Sequence, residues 1–168
     1  GRLLMRLDAP VPCTPAGIVE LLDRSGRPIA GQHAVVVGRS EIVGRPLAIL
    51  LMQRDATVTM CHSKTRDLAG LCRSADVIVA AAGSPRRVKG DWIRPGAAVM
   101  DVGVTEVDGK LVGDVDFEAA LGRAALITPS RRGIGPMTIT MLLRNTLTAY
   151  LIRHPIPNAL PKPDGRSV

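Results

Sequence analysis

Two short stretches of this sequence hold the residues best suited to chemistry. The first, VVVGRSEIVGRPLAILL (35–51), reads as an apolar strand, a glycine, a polar loop, a second glycine and an apolar helix. Gly38 ends the strand without a side chain, and Gly44 lets the helix approach closely. The spacing predicts unpaired N–H groups at the helix start, facing the loop mouth, where they would hold an anion. The stretch is not G-x-G-x-x-G, because Arg39 and Ser40 follow the first glycine. A plain strand-to-helix turn has the same outline, and what favours an anion site is its position between two apolar elements. The second stretch, CHSKT (61–65), follows the next apolar run. An acid at this strand end, about 20 residues past the first glycine, would bond the free ribose hydroxyls of NAD. None is present. Ser63 would instead donate to a ribose phosphate, and Arg39 can reach the same point because the two strand ends are neighbours. Arg39 and Ser63, with Lys64 or His62 beside them, would surround a 2′-phosphate with charge-assisted bonds. The residues therefore point to NADP rather than NAD, although His62 taken alone reads more simply as an exposed loop histidine.

Other residues carry weaker signals. The loop PSRRGIGPMT (129–138) has two glycines and two prolines, which allow close backbone approach to a bulky ligand or simply a tight crossover. Asp101, Asp114 and Asp116 could form a carboxylate site, but an Asp at a strand end more often caps a loop, and no chemistry is assigned to them. Cys13 has no base or oxyanion loop around it. The three cysteines form no CxxC pair and the three histidines are dispersed, so no metal site is expected. Free thiols, no signal peptide and no membrane-length apolar run give a cytoplasmic reading without a membrane partner.

The elements that must position these residues follow from composition and periodicity. Of 168 residues, 46% are apolar and only 2% aromatic, so the core is built of Val, Leu, Ile, Ala and Met. That bias suits a parallel α/β sheet. The net charge of +7 fits either a solvated basic surface or an anionic ligand. One Phe, one Tyr and one Trp provide no stacking platform for bases, which argues against nucleic acid. Residues 13–26 read as a helix capped by Thr14 and ended by Gly26. From residue 33, strands at HAVVVG, TVTMCH, DVIVAAAG, AAVMDVG and ALIT alternate with helices at 43–54, at 65–74 with Thr65 as cap, at 116–123, and from about Met137 to Ile152. VDGKLVGDV reads as a hairpin around Asp108-Gly109. The fold class is therefore α/β, a Rossmann-like doubly wound parallel sheet in one domain. Residues 1–32 form a connection and first helix, 33–152 the dinucleotide-binding unit, and 153–168 a proline-rich, disordered tail.

Seven motifs, in order from residue 1 to about 150, resemble those of bifunctional methylenetetrahydrofolate dehydrogenase/methenyltetrahydrofolate cyclohydrolase. They are PCTPAG (12–17), VVVGRSEIVGRPLA (35–48), TVTMCHSKT (57–65), VKGDWIRPGA (88–97), DVGV (101–104), GDVDF (113–117) and GPMTITMLL (135–143). The resemblance implies NADP-dependent oxidation of methylene-tetrahydrofolate to methenyl-tetrahydrofolate, then hydrolysis to formyl-tetrahydrofolate, by a cytosolic homodimer. It implies that Gly38, Arg39 and Ser40 bind the cofactor phosphates, with Arg39 and Ser63 at the 2′-phosphate, Val104 on the nicotinamide side and Thr138 near the carboxamide. The family's Tyr and Lys catalytic motif and folate-binding Asp belong to an N-terminal domain that is expected to be absent from this chain. No catalytic residue is therefore assigned here, and the folate substrate would be shared with that missing domain. The family loop P-V-P-G-G-V-G-P-M-T reads PSRRGIGPMT in this chain, so two arginines stand beside the expected folate pocket. A dinucleotide-binding module without catalysis, or a divergent paralogue, is the alternative reading.

Overall fold

Branched apolar runs form the central strands of the sheet, and both faces of these are covered. The computed structural model describes residues 1–154. The tail expected at 153–168 lies outside the described residues from residue 155 onward. Strands β1 (His33–Val37), β2 (Thr57–Cys61), β3 (Val77–Ala80) and β4 (Ala98–Asp101) belong to one parallel sheet, which a short strand β7 (Leu126–Ile127) completes. Its order is β2-β1-β3-β4-β7. Strands β5 (Val104–Val107) and β6 (Lys110–Gly113) form a separate antiparallel hairpin. Asp108 and Gly109 turn it with φ of +50° and +73°, the left-handed pair that a two-residue hairpin turn requires.

The helices are α1 (Cys13–Arg24), α2 (Gly44–Gln53), α3 (Leu68–Ser74), α4 (Phe117–Leu121) and α5 (Ile134–Arg153), with a 3₁₀ turn at Gly90–Trp92. Alternate strand residues face opposite layers. Ala34, Val36, Val79 and Met100 pack with Ile18, Leu22, Leu47 and Ile134 from α1, α2 and α5. Val35, Val37, Ile78 and Val99 pack with Leu68, Cys72, Ile93 and Ala120 on the other side. Burial on both faces is why these strands read as continuous apolar runs rather than alternating ones.

Three helix starts differ from expectation. Pro12, not Thr14, occupies the cap position of α1. The Thr14 hydroxyl instead bonds the Thr138 hydroxyl at 2.9 Å, tying α1 to α5 where Gly17 lets the two helices approach. Helix α3 begins at Leu68, not Thr65. Its cap is Asp67, held at φ +47°, whose carboxylate accepts from Gly70 N–H at 2.9 Å. Thr65 Oγ1 accepts from His62 N–H at 2.8 Å and so closes the preceding turn. Helix α5 begins at Ile134 rather than Met137. Pro136 fits in its first turn because its missing N–H would have no intrahelical partner there. Its apolar residues are spread around the circumference rather than gathered on one face, and Leu142, Leu143, Leu147 and Tyr150 remain exposed.

The strand order places a topological switch point between β1 and β3. The chain leaves β1 for β2 on one side, then returns past β1 to β3 on the other. Ligands of open α/β sheets bind outside the carboxyl ends of the strands at such a point.

Candidate functional site

A cleft of about 490 Å³ opens at the carboxyl ends of β2, β1 and β3. The β1 end contributes Val37, Gly38, Arg39 and Ser40. The β2 end contributes His62 and Ser63, and the β3 end Ala81, Ala82, Ser84 and Arg87. Leu68, from the start of α3, supplies an apolar patch.

The cleft floor is backbone packed on backbone. Gly38 has φ of +129°, and a Cβ there would run into the Ala81 carbonyl oxygen. A Cβ on Gly44 would run into the Gly38 carbonyl oxygen. Both glycines are thus required by close approach, and Gly38 also by its backbone angle.

The donors of this loop are arranged differently from the sequence expectation. The N–H groups at the start of α2 are not open, because Ser40 takes them. Its Oγ accepts from Val43 N–H at 3.2 Å and from Gly44 N–H at 3.3 Å, and its carbonyl accepts from Arg45 N–H at 3.0 Å. Pro46 has no N–H to offer. A hydroxyl inside the loop therefore closes the first turn, much as an N-cap side chain would. The open donors lie one step earlier. Among the described residues, the N–H groups of Arg39, Ser40, Glu41 and Ile42 meet no protein acceptor. With both N–H bonds accepted at Oγ, the Ser40 hydroxyl hydrogen is free to donate.

The β2 loop is a fixed turn. Besides the Thr65 contact, His62 Nδ1 accepts from Lys64 N–H at 3.1 Å, which assigns the ring proton to Nε2. Ser63 and Arg39 are exposed and make no side-chain bond among the described residues. No carboxylate among the described residues lines the cleft. The structure thus brings together Gly38, Arg39, Ser40 and Ser63, with His62 beside them. Lys64, Val104 and Thr138 do not line this cleft: Val104 begins the hairpin, and Thr138 is held by Thr14 on α5.

Arg87 escaped sequence reasoning, because its stretch SPRRVKG has no period that would aim it at the cleft. Asp114 caps a loop, as expected of an aspartate at a strand end, but which loop it caps was not legible. Asp114 is fully buried, and its carboxylate accepts from Ala82 N–H at 2.6 Å and from Gly83 and Ser84 N–H at 2.8 Å each. It caps the loop after β3 and so shapes one wall of the cleft. The partners lie about thirty residues away in sequence, and no local pattern signals them. Asp101 Oδ1 accepts from Asp114 N–H at 2.9 Å, and Thr128 Oγ1 accepts from Asp101 N–H at 2.9 Å. Asp101 Oδ2 is buried without a partner among the described residues. Burial pushes the Asp101 carboxyl up to about 7, against the hydrogen bonds that lower it and with the neighbouring Asp114 charge adding to the rise.

Cys61 and Cys72 are buried free thiols. Burial pushes Cys61 up, and pushes Cys72 up to about 12, with the adjacent Cys61 adding to the effect on Cys72. Among the described residues no His, Cys, Asp and Glu side chains form a group of three or more that could hold a metal ion. No helix among them is long and apolar enough to cross a membrane. Arg131 and Arg132 stand exposed on the loop before α5, with Arg132 at φ +60°.

The family model for the tetrahydrofolate dehydrogenase/cyclohydrolase NAD(P)-binding domain matches residues 12–154. The bifunctional protein FolD of Azorhizobium caulinodans is 60% identical over 154 residues, covering 89% of this chain and 53% of that protein. The crystal structure of the bifunctional enzyme FolD from Campylobacter jejuni aligns with a TM-score of 0.88 at 44% identity, covering 91% of this chain and 55% of that one. The Trypanosoma brucei methylenetetrahydrofolate dehydrogenase-cyclohydrolase, complexed with NADP cofactor and inhibitor, aligns at 0.87 and 48% identity, covering 93% of this chain and 56% of that one. The chain spans about half the length of the curated relatives it matches.

Proposed function

The chain belongs to the tetrahydrofolate dehydrogenase/cyclohydrolase family through its NAD(P)-binding domain, and on that premise we propose that it binds NADP as the cofactor half of a methylenetetrahydrofolate dehydrogenase/methenyltetrahydrofolate cyclohydrolase. One observation carries the reading. Among the described residues, the cleft at the β1–β3 switch point combines close backbone approach at Gly38, open loop donors at 39–42 and unpaired Arg39, with no carboxylate in its lining. Its volume lies within the range of cofactor sites.

Each residue has a separate task. Arg39 would hold the 2′-phosphate through its planar fork of donors, and Ser63 would add a neutral donor from the β2 end. The Ser40 hydroxyl and the loop N–H groups would serve the remaining phosphate oxygens. Val104 follows the β4 end, and Thr138 lies on the helix after β7, so both stand across the switch point from Ser63. That placement supports their assignment to the nicotinamide side. NADP, when bound, supplies the hydride acceptor. Folate binding and proton transfer are assigned to the part of such a protein that this chain does not match, with residues 33–152 as the dinucleotide-binding unit. A cytoplasmic homodimer belongs to the same reading. The exposed apolar side chains of the hairpin, Val104, Val107 and Leu111, and those along α5 support contact with further polypeptide.

Calorimetric titration of both cofactors tests the assignment. Arg39→Ala should weaken NADP by roughly 10- to 150-fold, the effect of one charge-assisted bond, and leave NAD nearly unchanged. Ser63→Asp should reverse the preference by repelling the phosphate and accepting from free hydroxyls. Equal losses for both cofactors in Arg39→Ala would show that the arginine serves a shared part of the ligand.

A further inference from the structure

The β3 wall of the cleft differs from the other two in where its charge comes from. Its loop amides are unavailable, because Ala82, Gly83 and Ser84 N–H all donate to the buried Asp114 carboxylate. Ala81 and Ala82 bring no polar side chain. Arg87 is the one cationic side chain that this wall sends into the cleft lining. Among the described residues it meets no carboxylate, whereas Arg24, Arg45, Arg54, Arg73, Arg94 and Arg144 each form an ion pair.

The turn that carries Arg87 is held at both ends. Arg86 N–H donates to the Gly113 carbonyl at 2.9 Å, and Arg87 N–H to the Ser84 carbonyl at 3.2 Å. Arg86 sits at φ +51°, a conformation costly for a residue with a side chain. The base of Arg87 is therefore fixed beside the cleft while its guanidinium stays exposed.

Strand order then decides which part of the ligand it meets. Neighbouring strands lie about 4.8 Å apart, so the β3 end stands about 10 Å from the β2 end. A 2′-phosphate held by Arg39 and Ser63 lies at the β1–β2 end. A dinucleotide that crosses the switch point must carry its pyrophosphate towards β3. Resting on the dinucleotide reading of the cleft, we propose that Arg87 grips the pyrophosphate, the charged group common to NAD and NADP, while Arg39 reads the 2′-phosphate. Arg87 thus supports affinity without choosing between the cofactors.

The 168-residue chain is titrated with NADP, NAD and adenosine 2′-phosphate, a probe that lacks the pyrophosphate. Arg87→Ala should weaken NADP and NAD alike by about tenfold, the lower effect of a charge-assisted bond in an open cleft. Adenosine 2′-phosphate, followed by NMR titration, should bind as it does to the unmodified chain. Arg87→Lys, which keeps the charge, should retain most of the affinity for both dinucleotides. Unchanged NADP and NAD binding in Arg87→Ala would overturn the proposal. So would a loss of adenosine 2′-phosphate as large as that of NADP, which would move Arg87 to the 2′-phosphate. Failure of the unmodified chain to bind either dinucleotide would overturn the reading of the cleft itself, and this proposal with it.

Discussion

The loops after β1 and β3 are two arches of backbone N–H groups at neighbouring strand ends, and they use their donors in opposite ways. In the β3 arch, Asp114 fills the concavity, and three consecutive N–H groups point inward to its carboxylate. In the β1 arch a hydroxyl, that of Ser40, closes only the helix start and leaves the N–H groups of residues 39–42 without protein acceptors among the described residues. An arch that holds an internal anion is a structural wall. An arch that lacks one can receive an anion from outside. The comparison teaches that a row of amides at a strand end is not by itself a ligand site, because the chain can satisfy it from within.

The comparison can be broken most severely at Gly38, where the two arches touch. Gly38→Ala puts a Cβ against the Ala81 carbonyl at a positive φ. The expected loss of unfolding free energy is roughly 2–5 kcal/mol, from overpacking and the unfavourable backbone angle together. Dinucleotide binding should disappear with it. Urea unfolding followed by cofactor titration measures both, and a variant with unaltered stability would contradict the packing described here. Removing the internal anion is the next test. Asp114→Ala should lower stability by about 3 kcal/mol, a low total for three N–H groups that water can partly reach. It should also make the β3 arch exchange its amide hydrogens faster, while the amides of 39–42 are unaffected. Equal protection of both arches before and after the substitution would erase the distinction between them.

A third test is in pH, through Asp101, whose carboxylate accepts from Asp114 N–H. Its carboxyl is raised to about 7 in the folded chain from an ordinary value of 3.8. Between these values the folded state keeps a proton that the unfolded state has lost. The unfolded state then binds fewer protons, so stability falls as pH rises through this window, by at most about 1.4 kcal/mol per pH unit. Above about 7 both states are ionised and this contribution no longer changes. Asp101→Asn, which resembles the protonated form, should flatten the slope. Thermal melts of both proteins from pH 4 to 8 would show this, and parallel slopes would exclude Asp101 as their source.

Much of this architecture was legible in the sequence, and the reason is local. Val35, Val36 and Val37, or Val77, Ile78 and Val79, form strands buried on both faces, which no polar alternation can obscure. Asp108-Gly109 announces its hairpin because few other pairs accept two positive φ angles. Helix starts were less legible where the decisive residue adopts an unusual backbone angle. Asp67 caps α3 from a left-handed conformation that propensity does not foresee, so Thr65 looked the better cap. The cleft's Gly38, Arg39, Ser40 and Ser63 could be brought together because they follow consecutive strand ends. Asp114 could be read as a loop cap, but not which loop it caps, because its partners come from another βα loop and meet it only in the folded chain. Arg87 was hidden because SPRRVKG carries no period that would aim it at the cleft.

The side chains proposed to face the ligand hang outside the packed structure. Arg39, Ser63 and Arg87 are exposed, and none makes a side-chain bond among the described residues. Substitutions at such surface positions usually alter stability by no more than about 0.5 kcal/mol. Ligand preference and foldability are therefore encoded in separate residues. On the proposed reading, a lineage, or an engineer, can exchange one nicotinamide cofactor for the other at Arg39 and Ser63 without first acquiring compensating mutations in the core. The fixed glycines make the scaffold unforgiving, and that same rigidity leaves cofactor choice free to evolve.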